Sequence, residues 1–119
     1  MQIEQRTMIA SGARTVTGSG TPISIVSRAG AFWLDVSAFS GTPTLDLDIE
    51  EQDPESGAWA SIISFTQATG VTAERVLSPT VGGLPAVKYR VAYVIGGGTP
   101  DLTFSVGFVG KEGDEATNR

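Results

Sequence analysis

Seven residues near the middle of the chain, Thr44-Leu45-Asp46-Leu47-Asp48-Ile49-Glu50, alternate apolar and polar side chains at nearly every step. Successive side chains of a β-strand point to opposite faces of the sheet. The two leucines and the isoleucine must therefore share one face, while the three acids share the other. This stretch predicts a strand with one buried face and one solvated face.

The same alternation recurs in two later runs, residues 87–95 and 102–108, and more weakly in six further segments. These weaker strand candidates are 5–10, 13–17, 23–28, 31–39, 59–66 and 71–77. Glycine-, proline- or serine-rich turn signals separate the candidates, at 18–20, 40–41, 53–57, 69–70, 82–83 and 96–98. About nine short strands joined by tight turns predict an all-β protein with an antiparallel β-sandwich, either jelly-roll or immunoglobulin-like.

The tripeptide Gly-Thr-Pro occurs three times, at 20–22, 41–43 and 98–100, each time just before an alternating run. Proline is tolerated at the first residue of a strand, where its missing N–H breaks no ladder hydrogen bond. The intervals are unequal, whereas a solenoid needs a fixed period. The repeat is therefore interpreted as strand punctuation.

The chain has 119 residues, 40% of them hydrophobic and 18% charged, which suits one compact domain with a single core. We expect an N-terminal arm or edge strand at 1–12 and a β-sandwich domain at 13–110. The last residues, 111–119, carry no apolar side chain larger than alanine. They are expected to form a flexible acidic tail, because burial cannot repay the entropy of ordering them.

Composition excludes several function classes. The chain contains no Cys and no His, so thiolate nucleophiles, disulfides and imidazole bases are absent, and a zinc site is disfavoured. A net charge of -5 repels a phosphate backbone, so no direct nucleic-acid partner is expected. The sequence has neither a signal-peptide pattern nor an apolar run long enough to span a bilayer, so no membrane partner is expected.

Acidic residues are concentrated between positions 46 and 55, at Asp46, Asp48, Glu50, Glu51, Asp53 and Glu55. Alternate strand positions lie about 7 Å apart, within the separations used by paired glycosidase carboxylates. Such a pair needs a pocket that raises one pKa, whereas these acids are predicted to face solvent. We therefore expect a solvated face, no enzyme activity and no cofactor.

The same acidic segment has an alternative interpretation as a calcium site. Asp48, Glu50, Asp53 and Glu55 are hard oxygen donors that approach a turn, although the EF-hand spacing is missing. A fall in melting temperature on adding a chelator would reveal such a site.

Candidate interface residues come from apolar side chains predicted to face outward. Counting alternately from Phe32 places Trp33 and Phe39 together on the solvent side of their strand. Trp59, by contrast, shares parity with Ile63 and is expected in the core. Exposed aromatics often mark contact surfaces, so Trp33 and Phe39 are candidate interface residues.

Two further segments supply interface candidates. On the strand from Val87, the outward face continues through Ala92 and Val94, which could meet a partner or be covered by a loop. Near the N-terminus, Ile3, Met8 and Ile9 are interspersed with polar residues, a pattern suited to strand addition at an exposed sheet edge.

Five groups of residues together resemble small structural proteins encoded in the morphogenesis clusters of tailed bacteriophages and prophages. They are Met8-Ile9-Ala10-Ser11-Gly12-Ala13-Arg14-Thr15, the acidic strand and turn from Leu45 through Trp59, Phe65-Thr66-Gln67, Lys88-Tyr89-Arg90-Val91, and Gly97-Gly98-Thr99-Pro100-Asp101-Leu102-Thr103-Phe104-Ser105-Val106. The resemblance spans residues 8–111. It implies a β-sandwich virion component of the capsid decoration or cement type, which binds the outer surface of the head in many copies.

The resemblance also sets expectations for partners and place. It implies contact with the major capsid protein and with copies of the chain itself, as in a trimer, on the exterior of a virion assembled in the host cytoplasm. It offers no catalytic residues. Two alternatives remain open: a tail tube or connector subunit, and a carbohydrate-binding module that uses Trp33 as a stacking platform.

Overall fold

The computed structural model describes residues 3–78 and 87–112, with backbone only for the last two of these. All regular structure in this part of the chain is β-strand, and none of its elements is a helix that could cross a membrane. The seven strands are β1 (Ile3–Arg14), β2 (Gly18–Ser19), β3 (Ile23–Ser24), β4 (Ser27–Gln52), β5 (Trp59–Ser64), β6 (Thr72–Leu77) and β7 (Lys88–Glu112).

Two long strands organise the molecule. β4 and β7 pair antiparallel over almost their whole lengths, from Ser27 opposite Glu112 to Glu51 opposite Tyr89. The first half of β4 and the second half of β7 lie between β6 and β1, which forms the first four-strand layer. The remaining halves lie between β5 and the short strands β2 and β3, which forms the second layer. All pairings are antiparallel.

Both long strands bend where they pass from one layer to the other. Gly41 in β4 and Gly97 in β7 adopt positive φ angles of 76° and 96°, and Thr99 follows with a φ of 42°. The large core side chains of β4 are at even-numbered positions before the bend (Phe32, Leu34 and Val36) and at odd-numbered positions after it (Leu45, Leu47 and Ile49). Those of β7 switch in the opposite sense. The bend therefore keeps the apolar side of each strand toward the interior as the strand changes layer.

One continuous core fills the space between the two layers. It contains Phe32, Leu34 and Phe104 from the first layer and Leu47 and Val91 from the second, all between 0% and 1% exposed. The rings of Tyr93 and Phe104 meet edge to face with centroids 5.3 Å apart, although they belong to opposite halves of β7. This contact shows that β7 folds back over the core. The predicted all-β antiparallel sandwich is confirmed.

The strand count and several turns differ from the prediction. The candidates 31–39 and 44–50 are parts of one strand, β4, and the runs 87–95 and 102–108 are parts of β7. The turn signals at 40–41 and 96–98 mark the bends, because each strand finds its hydrogen-bond partner on both sides of the signal. The candidate 5–10 and the first two residues of the candidate 13–17 likewise belong to one strand, β1.

Two of the predicted features lie wholly or partly outside the described residues. The turn at 82–83 falls in an undescribed segment. Of the tail predicted at 111–119, the first two residues belong to β7, and the rest fall outside the described residues.

Candidate functional site

The outer face of the first layer carries a patch of large apolar side chains. Ile3, Trp33, Leu77 and Val109 are 65%, 40%, 61% and 38% exposed, and they come from four adjacent strands. Val109 stands opposite Ala31, which in turn stands opposite Leu77, so these side chains lie on one row. We call Ile3, Trp33, Leu77 and Val109 the apolar face.

Trp33 lies between two very different neighbours on this face. On one side Arg75 holds its guanidinium carbon 5.6 Å from the ring centroid of Trp33, a cation–π contact. On the other side the opposing residue of β7 is Gly107, and beyond it stands Thr7 of β1. Because Gly107 has no side chain, a groove of about 240 Å³ opens between Trp33 and Thr7.

The outer face of the second layer is polar and acidic. The side chains of Asp46, Asp48 and Glu50 project from it, as predicted from their alternation. Asp46 accepts two hydrogen bonds of 3.1 Å from the Gln67 amide. Glu50 accepts a charged hydrogen bond of 2.7 Å from Nε of Arg90. We call Asp46, Asp48 and Glu50 the acidic face.

Arg90 also connects this face to an aromatic ring. Its guanidinium carbon lies 4.3 Å from the ring centroid of Trp59, so the same cation meets both a carboxylate and an indole. Trp59 was predicted in the core and is instead half-buried on the outer face, opposite Gln52. The cause is a register shift between Ile49 and Glu50 in the pairing of β4 with β5, which reverses the parity of β5 before Ser61.

The carboxylate of Asp53 stabilises the turn that follows the acidic face. Asp53 accepts hydrogen bonds from the backbone N–H groups of Glu55, at 2.8 Å, and Ser56, at 3.4 Å. These hydrogen bonds lower the pKa of the Asp53 carboxyl below its ordinary value. Across the described ranges 3–78 and 87–112, no three acidic side chains converge as metal ligands would.

A buried acid attaches the edge strand β1 to the start of β4. Glu4 is 8% exposed, and its Oε1 accepts hydrogen bonds from the backbone N–H of Ser27, at 2.9 Å, and from the Ser27 hydroxyl, at 2.6 Å. The N–H of Val26 and the guanidinium of Arg6 bind the other oxygen. Burial raises the pKa of Glu4, but these hydrogen bonds outweigh burial and lower it overall.

The predicted interface residues are distributed unevenly. Ile3 and Trp33 lie on the apolar face, while Val94, 56% exposed, and Ala92, half-buried, lie beside the acidic face. Met8 and Ile9 are 5% and 9% exposed, and both belong to the core. The expectation that Met8 and Ile9 present side chains to a partner is therefore corrected. A β-bulge between Thr7 and Ile9 places both inward.

Phe39 is exposed, at 47%, but it does not extend the patch around Trp33. A register shift between Val36 and Ala38 puts Phe39 opposite the core residue Leu102, whereas Trp33 is opposite Gly107. The Phe39 ring packs at the bend against Gly70. The prediction that the two aromatics share one face is thus wrong, because the bulge reverses the alternation between them.

Leu77, Val109 and Gly107 are surface residues that the sequence did not single out. Alternation from the buried Phe108 puts Gly107 and Val109 outward, and this signal was available in the sequence. The juxtaposition of Leu77 with Trp33 was not, since it depends on β6 pairing with the first half of β4.

No protein-family model matches the chain, and no curated protein sequence matches it. Among solved structures, the chain is similar to one in the crystal structure of the infectious bursal disease virus VP2 subviral particle. The TM-score is 0.58 and the identity 13%, over 91% of this chain and 32% of that one. A structure of the Gt strain of that virus gives a TM-score of 0.55 and 13% identity, over 92% of this chain and 33% of that one. The chain thus spans about a third of the length of these viral chains.

A second kind of similar structure is a carbohydrate-binding module. The CBM36-1 domain of a multidomain xylanase from the hindgut metagenome of Trinervitermes trinervoides matches with a TM-score of 0.55 and 10% identity. The match covers 94% of this chain and 99% of that domain. The structural similarity shows a shared β-sandwich fold. At identities of 10–13% it does not show a shared function, which has to be argued from the surfaces of this chain.

Proposed function

We propose that this chain is a virion structural protein that decorates the outer surface of a tailed-phage head in many copies and stabilises the shell. The observation that carries the proposal is the apolar face. Trp33, Leu77 and Val109 form an exposed apolar patch on a sheet whose inner side already holds a complete core. Folding does not require this patch, and exposed apolar patches of this kind mark protein contacts.

The opposite surface suits a position facing solvent. The acidic face carries three carboxylates, and the whole chain has a net charge of -5. Like charges spread over the exterior of a crowded particle resist aggregation between particles. A decoration protein of this design contacts its neighbours with one layer and leaves the other in water.

The fold likeness supports the proposal at the level of architecture. The matched viral chains come from virus structures, one of them a subviral particle, and nearly all of this chain superimposes on a third of each. A rigid sandwich can bind without rearranging its backbone. Binding to the assembled shell, and not to separated subunits, stabilises the assembled state by mass action. In this proposal the chain has no catalytic residue.

The decisive experiment is a reconstruction, by electron microscopy, of particles made with and without this chain. We expect density for the sandwich on the outside of the head, in many copies, which disappears when the gene is deleted. Density in the tail would favour the tube or connector alternative. Absence from the particle would refute both.

A matched pair of variants tests which face makes the contact. Leu77→Ser removes an apolar side chain that is 61% exposed on the apolar face, and Val94→Ser removes one that is 56% exposed beside the acidic face. Copurification of each variant with heads that lack the chain should fall at least about tenfold for Leu77→Ser and stay near wild type for Val94→Ser. Equal retention of both would mean that the apolar face is not the contact.

Carbohydrate binding is a second candidate, favoured by the groove beside Trp33. The chain also covers nearly the full length of the CBM36-1 domain. Binding to a glycan array, abolished by Trp33→Ala and unaffected by Val94→Ser, would support this function. Absence of binding to every glycan on the array would remove the support.

A further inference from the structure

Gly107 lies in the second half of β7, although the backbone does not need a glycine there. The φ angle of Gly107 is negative or extended, so any residue could adopt it. A Cβ at this position would meet only the carbonyl oxygen of Arg6, at 3.4 Å. Glycine inside a strand weakens the strand, because it orders a flexible backbone and offers no side chain to pack. What Gly107 does provide is the open groove beside Trp33.

The groove beside Trp33 is smaller than the pockets that usually enclose small-molecule ligands. Its volume of about 240 Å³ is below the roughly 300–1,000 Å³ of pockets that enclose small-molecule ligands. Its floor is the backbone around Gly107, and its walls are Trp33 on one side and the edge strand at Thr7 on the other. A slot of this kind, in the middle of an exposed sheet, fits a single protruding side chain.

We infer that the occupant is Trp33 of a second copy of this chain, packed face to face about a twofold axis that runs between β4 and β7. The inference rests on the proposed function in one respect: it takes the neighbour that the apolar face contacts to be another copy of the chain on the particle, so that other surfaces of the pair contact the shell and loss of pairing weakens retention on the head. A half-turn about an axis parallel to the two strands places each β4 over the partner copy's β7. Trp33 of each copy then lies over Gly107 of the other, so the same knob and the same hole occur twice.

The residues on either side of this pair are also self-complementary. Val109 stands opposite Ala31 on the first layer, and Asp35 stands opposite Ser105. Under the same twofold axis, the large Val109 meets the small Ala31 of the partner copy. The Asp35 carboxylate meets the Ser105 hydroxyl, which can donate a hydrogen bond to it. In three successive rows of the sheet, Val109 would therefore pack on Ala31, Trp33 on Gly107, and Asp35 would accept a hydrogen bond from Ser105 of the partner copy.

The proposed axis brings no two charged side chains together in the three central rows, because Asp35 faces Ser105 and Arg75 faces Thr7 of the partner copy. The charged side chains that flank Trp33 are Asp35 and Arg75, one of each sign. The acidic face lies on the other layer and points away from the interface. The remaining long-range repulsion comes from the net charge of each copy and is screened by salt.

The extent of the face predicts a weak dimer. Four strands spaced about 4.8 Å apart, over about six residues of about 3.4 Å each, present about 400 Å² per copy and about 800 Å² for the pair. This is below the roughly 1,200 Å² of stable complexes, so pairing in solution should need protein concentrations of about 0.1–1 mM. A particle surface that holds copies side by side would raise the effective concentration to that range.

Sedimentation velocity over a concentration series up to about 1 mM tests the inference, with circular dichroism to confirm that each variant folds. Gly107→Ala should weaken dimerisation at least about tenfold, because the new methyl group would stand on the floor of the groove, where Trp33 of the partner copy is proposed to pack. Gly12→Ala is the matched control: its Cβ would meet only the Arg14 side chain, at 3.7 Å and beyond, outside the face. This control should dimerise like wild type.

An exchange of the knob and the hole gives a second, independent test. Trp33→Gly alone should abolish dimerisation. The double variant Trp33→Gly, Gly107→Trp restores a tryptophan over a glycine in both copies and should dimerise again. A double variant that folds and stays monomeric would contradict the proposed geometry, as would wild-type protein that is monomeric at 1 mM.

The results separate this inference from the proposed function. Protein that dimerises through Trp33 and Gly107 but is absent from particles would leave the inference standing and refute the decoration role. Protein that binds heads but is monomeric at 1 mM, with Gly107→Ala binding as well as wild type, would refute the inference alone. Xylan-derived oligosaccharides that bind and compete with dimerisation would assign the groove to a sugar and overturn the inference.

Discussion

The two outer faces of the sandwich are built from the same pair of strands and yet differ in their exposed side chains. On the first layer β4 and β7 present Trp33, Gly107 and Val109, and on the second they present Asp46, Asp48 and their neighbours. The inner positions of both layers belong to one core. The contrast therefore concerns only the side chains that the core leaves free.

This difference is the basis for the proposal that one layer makes contacts and the other does not. An outward position on a half-buried sheet is tolerant of polar residues, as the second layer shows, so stability alone does not require an apolar residue there. The first layer nevertheless keeps four large apolar side chains exposed. The proposed function assigns its outward residues to contact with a partner and those of the second layer to solvent.

The largest expected effect comes from the bend, because the bend turns the two faces away from each other. At Gly97 the φ angle is 96°, and a Cβ would overlap the carbonyl oxygen of Thr42. Gly97→Ala should therefore lower the free energy of unfolding by about 3 kcal/mol or more, as backbone strain and steric overlap add. Urea unfolding followed by circular dichroism measures the loss.

Gly57→Ala separates strain from overlap in this experiment. Gly57 has a φ of 78°, but a Cβ there would meet only the Gln52 amide, at 3.8 Å. This variant should cost about 1 kcal/mol, the usual penalty of a left-handed conformation for a residue with a Cβ. Equal losses at both positions would show that overlap at the bend is unimportant.

The bend is also where the sequence was least informative. The alternation in residues 44–50 and 102–108 correctly predicted strands with one buried face, because solvent and core impose the period directly. The glycines at 41 and 97 predicted reversals of the chain, since positive φ is needed in turns as well as in bends. Only the pairing of β4 with β7 on both sides of these glycines distinguishes the two, and such pairing is nonlocal.

The next effect contrasts a buried acid with a half-buried acid of the acidic face. Glu4 is buried on the strand that carries Ile3, and Glu4→Gln removes a charged acceptor from the N–H and hydroxyl of Ser27. The loss of stability at pH 7 should be about 1–2 kcal/mol. Asp48→Asn, on the acidic face, should change stability by less than about 0.5 kcal/mol.

The pH dependence of Glu4 follows from its lowered pKa. Because the folded-state pKa is below the ordinary value of 4.5, Glu4 stabilises the fold fully above that value. The contribution is lost as the pH falls through the folded-state pKa. Below pH 4.5, the stability of wild type should therefore approach that of Glu4→Gln. A gap between the two that stays constant from pH 7 to pH 3 would contradict this account.

A smaller effect is expected at Arg90, which orders the acidic face. Its guanidinium pairs with Glu50 and covers the Trp59 ring, and both partners are partly exposed. Arg90→Ala should cost about 1 kcal/mol, the combined size of a surface ion pair and a cation–π contact. Lys88→Ala, two residues away on the same face, is the control and should be nearly neutral. Arg90→Lys that restores full stability would exclude a role for the planar guanidinium.

How far the surfaces could be predicted depends on the bulges. Trp33 was correctly placed outward, because no irregularity separates it from the buried Phe32 and Leu34. Phe39 was correctly predicted to be exposed but wrongly assigned to the face of Trp33, and Trp59 was wrongly assigned to the core; in both cases a register shift intervenes. A one-residue shift reverses every later side chain, and its position depends on the partner strand. The outward positions of Asp46, Asp48 and Glu50 were predicted correctly, because the register shift within residues 44–50 lies at the end of the run, between Ile49 and Glu50.

The smallest expected effect concerns calcium and the acidic face. A calcium ion takes six to eight oxygens at about 2.3–2.6 Å, so its ligands must converge. Here Asp46 is bound by Gln67, Glu50 by Arg90, and Asp53 by its own turn. We therefore expect the melting temperature to stay within about 1 °C when calcium or a chelator is added. A specifically bound ligand at 100 times its dissociation constant would instead raise the free energy of unfolding by about 2.7 kcal/mol and the melting temperature by several degrees. A rise of several degrees that Asp48→Asn abolishes would instead make the acidic face a binding site and end the contrast between a contacting layer and a solvated one.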